Sequence, residues 1–124
     1  MRQLLLVGVG GFIGSVARYG VSKLNLYIHF LSIPIGTLTV NIVGSFVIGI
    51  ITGIATKSEL ISLNMRLFLM VGICGGFTTF SSFTNENLTL LQNGQILSSI
   101  IYTGLSIFFG FLAVYLGFII TNWF

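Results

Sequence analysis

Gly75-Gly76-Phe77-Thr78-Thr79-Phe80-Ser81-Ser82-Phe83 sets adjacent glycines, four hydroxyls and three phenylalanine rings inside an otherwise apolar run. Hydroxyls can donate to an anion, and aromatic rings carry partial positive charge at their edges. In hydrocarbon every backbone N–H and C=O needs a partner, so a membrane span is ordinarily an unbroken helix. Irregular backbone survives there only where protein buries it or where it lines an aqueous path. The segment is therefore expected to break its helix at Gly75, Gly76 and Thr79 and to form a site for an ion.

Phe80 and Phe83 are three residues apart, which places them on one helical face with Ser81 and Ser82 between them. Presented edge-on, the rings would favour a small anion while keeping water out of a narrow passage. Other polar groups fall on stripes of small residues. Arg18 follows Gly14 by one turn, Asn41 precedes Ser45, and Tyr102, Ser106 and Gly110 line up in the same way. Polar groups within spans are costly and face a bundle interior or a water-filled cavity. Asn41 offers N–H donors, Tyr102 and Ser106 offer hydroxyls, and Arg18 a permanent positive charge. No acid lies at the centre of the first, second or fourth apolar run. A path lined by donors and one guanidinium favours an anion.

The elements that must position these groups are membrane helices. Of 124 residues, 55% are hydrophobic and only 6% charged, against roughly a quarter charged in ordinary soluble domains. The mean hydropathy of +1.08 agrees. Runs of the length a span needs extend from Gln3 to about Leu24, Ile35 to about Thr56, Leu63 towards Leu91 and Ile96 to about Asn122. They make one four-span, all-α membrane domain over residues 1–124. Pro34 opens the second run, where a missing N–H costs little, and Asn93-Gly94 forms the last turn. Gly10 and Gly14, Ser45, Gly49 and Gly53, and Gly72 and Gly76 recur at four-residue spacing, giving faces on which helices approach closely.

With four spans, Arg2, Lys57 and Arg66 fall on one side of the membrane and Lys23, with Arg18 where it reaches the surface, on the other. Lys/Arg asymmetry sets orientation. A bias this shallow permits insertion both ways, and so a pairing of oppositely inserted copies about an axis in the membrane plane. The basic residues are too few and too scattered for a nucleic-acid surface. The single Cys74, in an apolar run, forms no intrachain disulfide and reads as a small buried hydrophobe.

Two other N-terminal patterns are set aside. Arg2 with Ser15-Val16-Ala17 has the outline of a cleavable signal, but three further spans follow. Gly8, Gly11 and Gly14 mimic a dinucleotide fingerprint, which requires an acid roughly 20 residues on; the nearest is Glu59.

Gly10-Gly11-Phe12-Ile13-Gly14-Ser15-Val16-Ala17-Arg18-Tyr19, Gly36-Thr37-Leu38-Thr39-Val40-Asn41-Ile42-Val43-Gly44-Ser45-Phe46 and Gly72 to Phe83 together resemble the Fluc (CrcB-type) fluoride channels. The resemblance covers nearly the whole chain. It implies a passive, fluoride-selective channel in a prokaryotic cell membrane, built as an antiparallel dual-topology homodimer with two fluoride paths. It also implies a structural sodium ion, not transported, held by the backbone carbonyls of Gly75 and Thr78. Phe80 and Phe83 correspond to the fluoride-contacting rings, Asn41 to the pore asparagine, Tyr102 and Ser106 to a hydroxyl track, and Arg18 to a vestibule arginine. Glu86 matches a pore-side acid. The chain departs from the pattern at Gly110, where the track has a further serine, and at Ser82, where threonine is common.

A proton-coupled exporter of the small multidrug resistance type needs a glutamate in its first span, where this chain has Arg18 and no acid. A membrane scaffold would account for the small-residue faces but not for a break flanked by Thr78, Thr79, Phe80 and Phe83. An enzyme is not expected: His29 is the only histidine, and no aspartate is present to orient it.

Overall fold

Four apolar helices dominate the computed structural model, which describes residues 1–124 and contains no sheet. They cover Arg2–Tyr27, Ile35–Lys57, Leu63–Gln92 and Ile96–Trp123, and each is long and apolar enough to cross a membrane. The first comprises α1 (Arg2–Ser22) and a short α2 (Leu24–Tyr27), and the second is α3 (Ile35–Lys57). The third runs through α4 (Leu63–Arg66), a π-helical stretch over Leu67–Cys74, α5 (Gly75–Phe77) and α6 (Phe80–Gln92). The fourth is α7 (Ile96–Ile120), closed by a 3₁₀ turn over Thr121–Trp123. Only 19 of 124 residues are buried, while Phe12, Phe111 and Trp123 lie exposed, as suits a multi-pass membrane chain solvated by lipid.

Glycine spacing decides which helices pair. α1 lies along the π-helical stretch and α5, and α3 lies along α7. A Cβ on Gly10 would stand 2.6 Å from the Phe68 carbonyl and 2.9 Å from Gly72 Cα; one on Gly76 would stand 2.6 Å from the Gly11 carbonyl. Gly14 leaves the same kind of room for Ile73 and Phe77. In the second pair, a Cβ on Gly49 would collide with the Val114 carbonyl, and one on Gly117 with the carbonyl of Phe46. The expected small-residue faces are therefore packing faces between specific spans.

The connections are tied down by side chains. Asn25 Oδ1 accepts from the Gly36 N–H at 2.6 Å, satisfying an orphan donor at the start of α3. Pro34 stands at the cap of that helix, one position before the first turn. The α6–α7 turn uses Gly94 at φ +75°. There Gly94 N–H reaches the Leu91 carbonyl at 3.1 Å and Gln95 N–H that of Leu90 at 2.8 Å, a glycine C-terminal cap. Gln95 Nε2 also donates to Ser32 Oγ at 2.9 Å, joining this turn to the first loop.

Candidate functional site

Thr78 and Thr79 leave the helix. Their backbones are extended, at φ −82°, ψ 158° and φ −152°, ψ 120°. Side chains replace the hydrogen bonds lost there. Asn41 Oδ1 accepts from the Thr79 N–H at 2.8 Å, and Asn41 Nδ2 donates to the Thr79 carbonyl at 3.1 Å. The carboxamide thus pairs with the N–H and the carbonyl of one residue, Thr79, as a neighbouring strand would. Thr79 Oγ1 accepts from Ser82 N–H at 3.1 Å and caps α6. Thr78 Oγ1 donates back to the Cys74 carbonyl at 2.9 Å, and its methyl fills the space left by Gly44.

Two corrections follow. Gly75 is helical (φ −63°, ψ −37°), and Gly76 lies within α5. The expected unwinding at this glycine pair falls instead on the two threonines. The reason is packing: Gly76 lets α5 touch α1 at Gly11, a contact that needs helical backbone on both sides. Asn41 offers two N–H donors as the sequence reading has it, but not both are free. One is spent on the Thr79 carbonyl, leaving a single Nδ2 hydrogen.

A groove of about 310 Å³ lies beside the break, its wall including Asn41, Ser45, Thr78, Thr79, Phe80, Phe83 and Ser106. The Phe80 and Phe83 ring centroids are 5.9 Å apart and tilted by 41°. Across the groove, Ser106 Oγ is buried with no hydrogen-bond partner, which leaves a donor in an apolar setting with nothing to bind. A second depression, of about 260 Å³, is lined by Arg18 together with Ser15, Thr37, Thr79 and Ser82. Thr79 belongs to both walls and is the partition between them. Ser81 is exposed, its Oγ 3.4 Å from Thr79 Oγ1, and lines neither depression.

Tyr102 is placed differently from Ser106. It is fully buried and its hydroxyl donates to Glu86 Oε1 at 3.0 Å. Thr37 Oγ1 donates to the other carboxylate oxygen at 2.7 Å. The Glu86 carboxylate thus ties α6 to α3 and α7. Tyr102 also meets the Phe83 ring edge-on, with centroids 5.1 Å apart. Its expected place on an open hydroxyl track is revised to a place behind Phe83. Thr37 was missed from sequence, although it precedes Asn41 by one helical turn on the same stripe.

The same geometry bears on a metal. In an unbroken helix the Gly75 carbonyl would accept from Thr79 N–H and the Thr78 carbonyl from Ser82 N–H. Those donors go to Asn41 and to Thr79 Oγ1. Both carbonyls are released from helical bonding, and carbonyl oxygens suit a hard cation. No cluster of three His, Cys, Asp or Glu residues competes as a metal site.

Residues 5–118 match the family model described as "CrcB-like protein, Camphor Resistance (CrcB)". The chain belongs to the CrcB family. Similar relatives within it carry the name "Fluoride-specific ion channel FluC". The one from Chlorobium chlorochromatii is 50% identical over 121 residues, covering 98% of this chain and 93% of its own. That from Azobacteroides pseudotrichonymphae is 43% identical over 124 residues, covering 100% and 99%. A third, from Flavobacterium psychrophilum, is 40% identical over 123 residues and covers 98% of each chain. The named motifs and the break therefore sit in a family whose relatives match almost end to end.

Proposed function

We propose that this chain is a passive, fluoride-selective channel of a prokaryotic cell membrane, through which fluoride leaves the cytoplasm and its toxicity is reduced. One observation carries the mechanism: Ser106, whose hydroxyl is buried without a partner, lines the groove that also holds Phe80, Phe83 and Asn41. Fluoride is small and strongly hydrated, so a selective path must replace its water with closely spaced donors in a narrow passage. Arg18 draws the anion into the second depression, where Ser82 lies. Beyond Thr79, the ring edges of Phe80 and Phe83, the remaining Asn41 N–H and Ser106 take over. Tyr102 acts from behind, holding the Phe83 ring and the Glu86 carboxylate. Ser81 stands outside both depressions and reaches the path only through its contact with Thr79 Oγ1, and the missing hydroxyl at Gly110 ends the hydroxyl lining.

The functional unit is an antiparallel homodimer with two such paths, its copies inserted in opposite orientations. The broken third span lies at mid-membrane, and the Gly75 and Thr78 carbonyls of both copies hold a structural sodium ion between them. That ion supplies fixed positive charge and holds the two breaks together; it does not travel. Fluoride efflux from liposomes, read with a fluoride electrode, tests the function. Phe80→Ile and Phe83→Ile should each lower the flux without preventing assembly, and chloride should pass far more slowly than fluoride. Unchanged flux in both variants would count against the ring-edge path, and equal passage of chloride would overturn selectivity.

A further inference from the structure

Asn87 lies one residue beyond Glu86 on α6 and takes no part in the path described above. Its Oδ1 accepts from Ser99 Oγ at 2.7 Å and from Thr103 Oγ1 at 3.3 Å. Its Nδ2 donates to the Phe83 carbonyl at 2.9 Å. Ser99 and Thr103 stand one turn apart on α7, with Tyr102 between them on the neighbouring face, and Ser99 is buried. A single carboxamide therefore grips α7 at two successive turns while holding the carbonyl of a ring-bearing residue. Apolar contacts between these helices, around Leu90 and Tyr102, are non-directional. Hydrogen bonds have narrow angular limits and fix rotation.

We propose that Asn87 is a positioning residue for fluoride passage, setting the rotation of α7 against α6. That rotation brings the Tyr102 hydroxyl to Glu86, the Tyr102 ring to Phe83, and Ser106 to the groove. One residue of slip would turn these groups by about 100° around the helix and take Ser106 off the groove wall. The role rests on the fluoride-conducting function proposed above.

Three variants test it in liposomes, each read as flux per folded channel and as the fluoride-to-chloride flux ratio. Asn87→Leu removes the grip and should cut fluoride flux by about tenfold while narrowing the ratio, since the groups share one network. The double variant Ser99→Ala, Thr103→Val leaves Asn87 in place but removes its α7 partners, and should behave alike. Asn87→Asp keeps an acceptor for both hydroxyls and should retain most of the flux. Wild-type flux and ratio in both the Leu and the double variant would overturn the proposal. So would a lower yield or melting temperature with the per-channel ratio unchanged, the mark of a merely structural contact. Failure of the channel function itself would look different, because wild-type protein would then carry no fluoride.

Discussion

Ser106 and Asn41 line one groove and do opposite work there. Ser106 Oγ has no partner, so Ser106→Ala breaks no hydrogen bond and relieves a buried polar group. Its melting temperature in detergent should equal or exceed the wild type's while fluoride flux falls several-fold. A lower melting temperature with normal flux would remove Ser106 from the path. Asn41→Leu should do the reverse to stability. It leaves the Thr79 N–H and carbonyl unpaired, at about 1–3 kcal/mol for each orphaned group, so a marked fall in melting temperature is expected. Both residues were visible in the sequence as polar groups on small-residue stripes. Their division of labour was not, because the partner of Asn41 is the backbone of a residue 38 positions away. The partner of Tyr102 was hidden for the same reason: a hydroxyl in a span reads alike whether it meets an ion or the half-buried carboxylate of another helix.

At the level of elements, the four spans were legible because length and hydropathy suffice to specify a membrane helix. The turn at Gly94 was legible because its φ of +75° suits glycine. The π-helical stretch over Leu67–Cys74 was not, since nothing in its uniformly apolar run distinguishes it from an α-helix. Of the three residues expected to unwind, Thr79 does, whereas Gly75 and Gly76 stay helical two to three residues before the break at Thr78. Glycine is at once a weak helix former and the smallest surface, and which property matters depends on the helix opposite. That contrast can be measured. A Cβ on Gly14 would collide with the Ile73 carbonyl and come within 2.8 Å of Phe77 N, while nothing lies within 4 Å of Gly20. Gly14→Ala should destabilise by about 1–3 kcal/mol, whereas Gly20→Ala, on the same span, should be neutral or stabilise by up to about 1 kcal/mol. Equal melting temperatures for the two would show that α1 and the third span do not meet as described.

For the whole molecule, the distribution of charge bears on assembly. On a four-span reading, Arg2, Lys57 and Arg66 share one side of the chain, against Lys23, with Arg18 where it reaches the surface, on the other. Arg66 also donates to the Ala55 carbonyl at 3.3 Å, at the end of α3, so part of its charge serves the helix terminus as well as topology. The remaining bias is small enough that insertion in both orientations is the expected outcome. A single cysteine at Asn93→Cys reports it directly, because the native Cys74 is buried and 2% exposed. In intact cells, a membrane-impermeant maleimide should modify about half of the molecules, and permeabilisation should expose the rest, as insertion in both orientations, which a shallow Lys/Arg bias permits, would give. Adding His29→Lys and Gln95→Lys strengthens the side that holds Lys23. In a companion labelling variant bearing both, the mixture should give way to one orientation. Fluoride flux should fall with it, since oppositely inserted partners disappear. Adding wild-type-like copies forced the other way, by lysines in the 58–62 loop, should then restore flux. Uniform labelling of Asn93→Cys from one side only, with full flux, would mean that the copies lie parallel or work alone. A sodium ion shared between two inverted breaks would then have no place in the assembly.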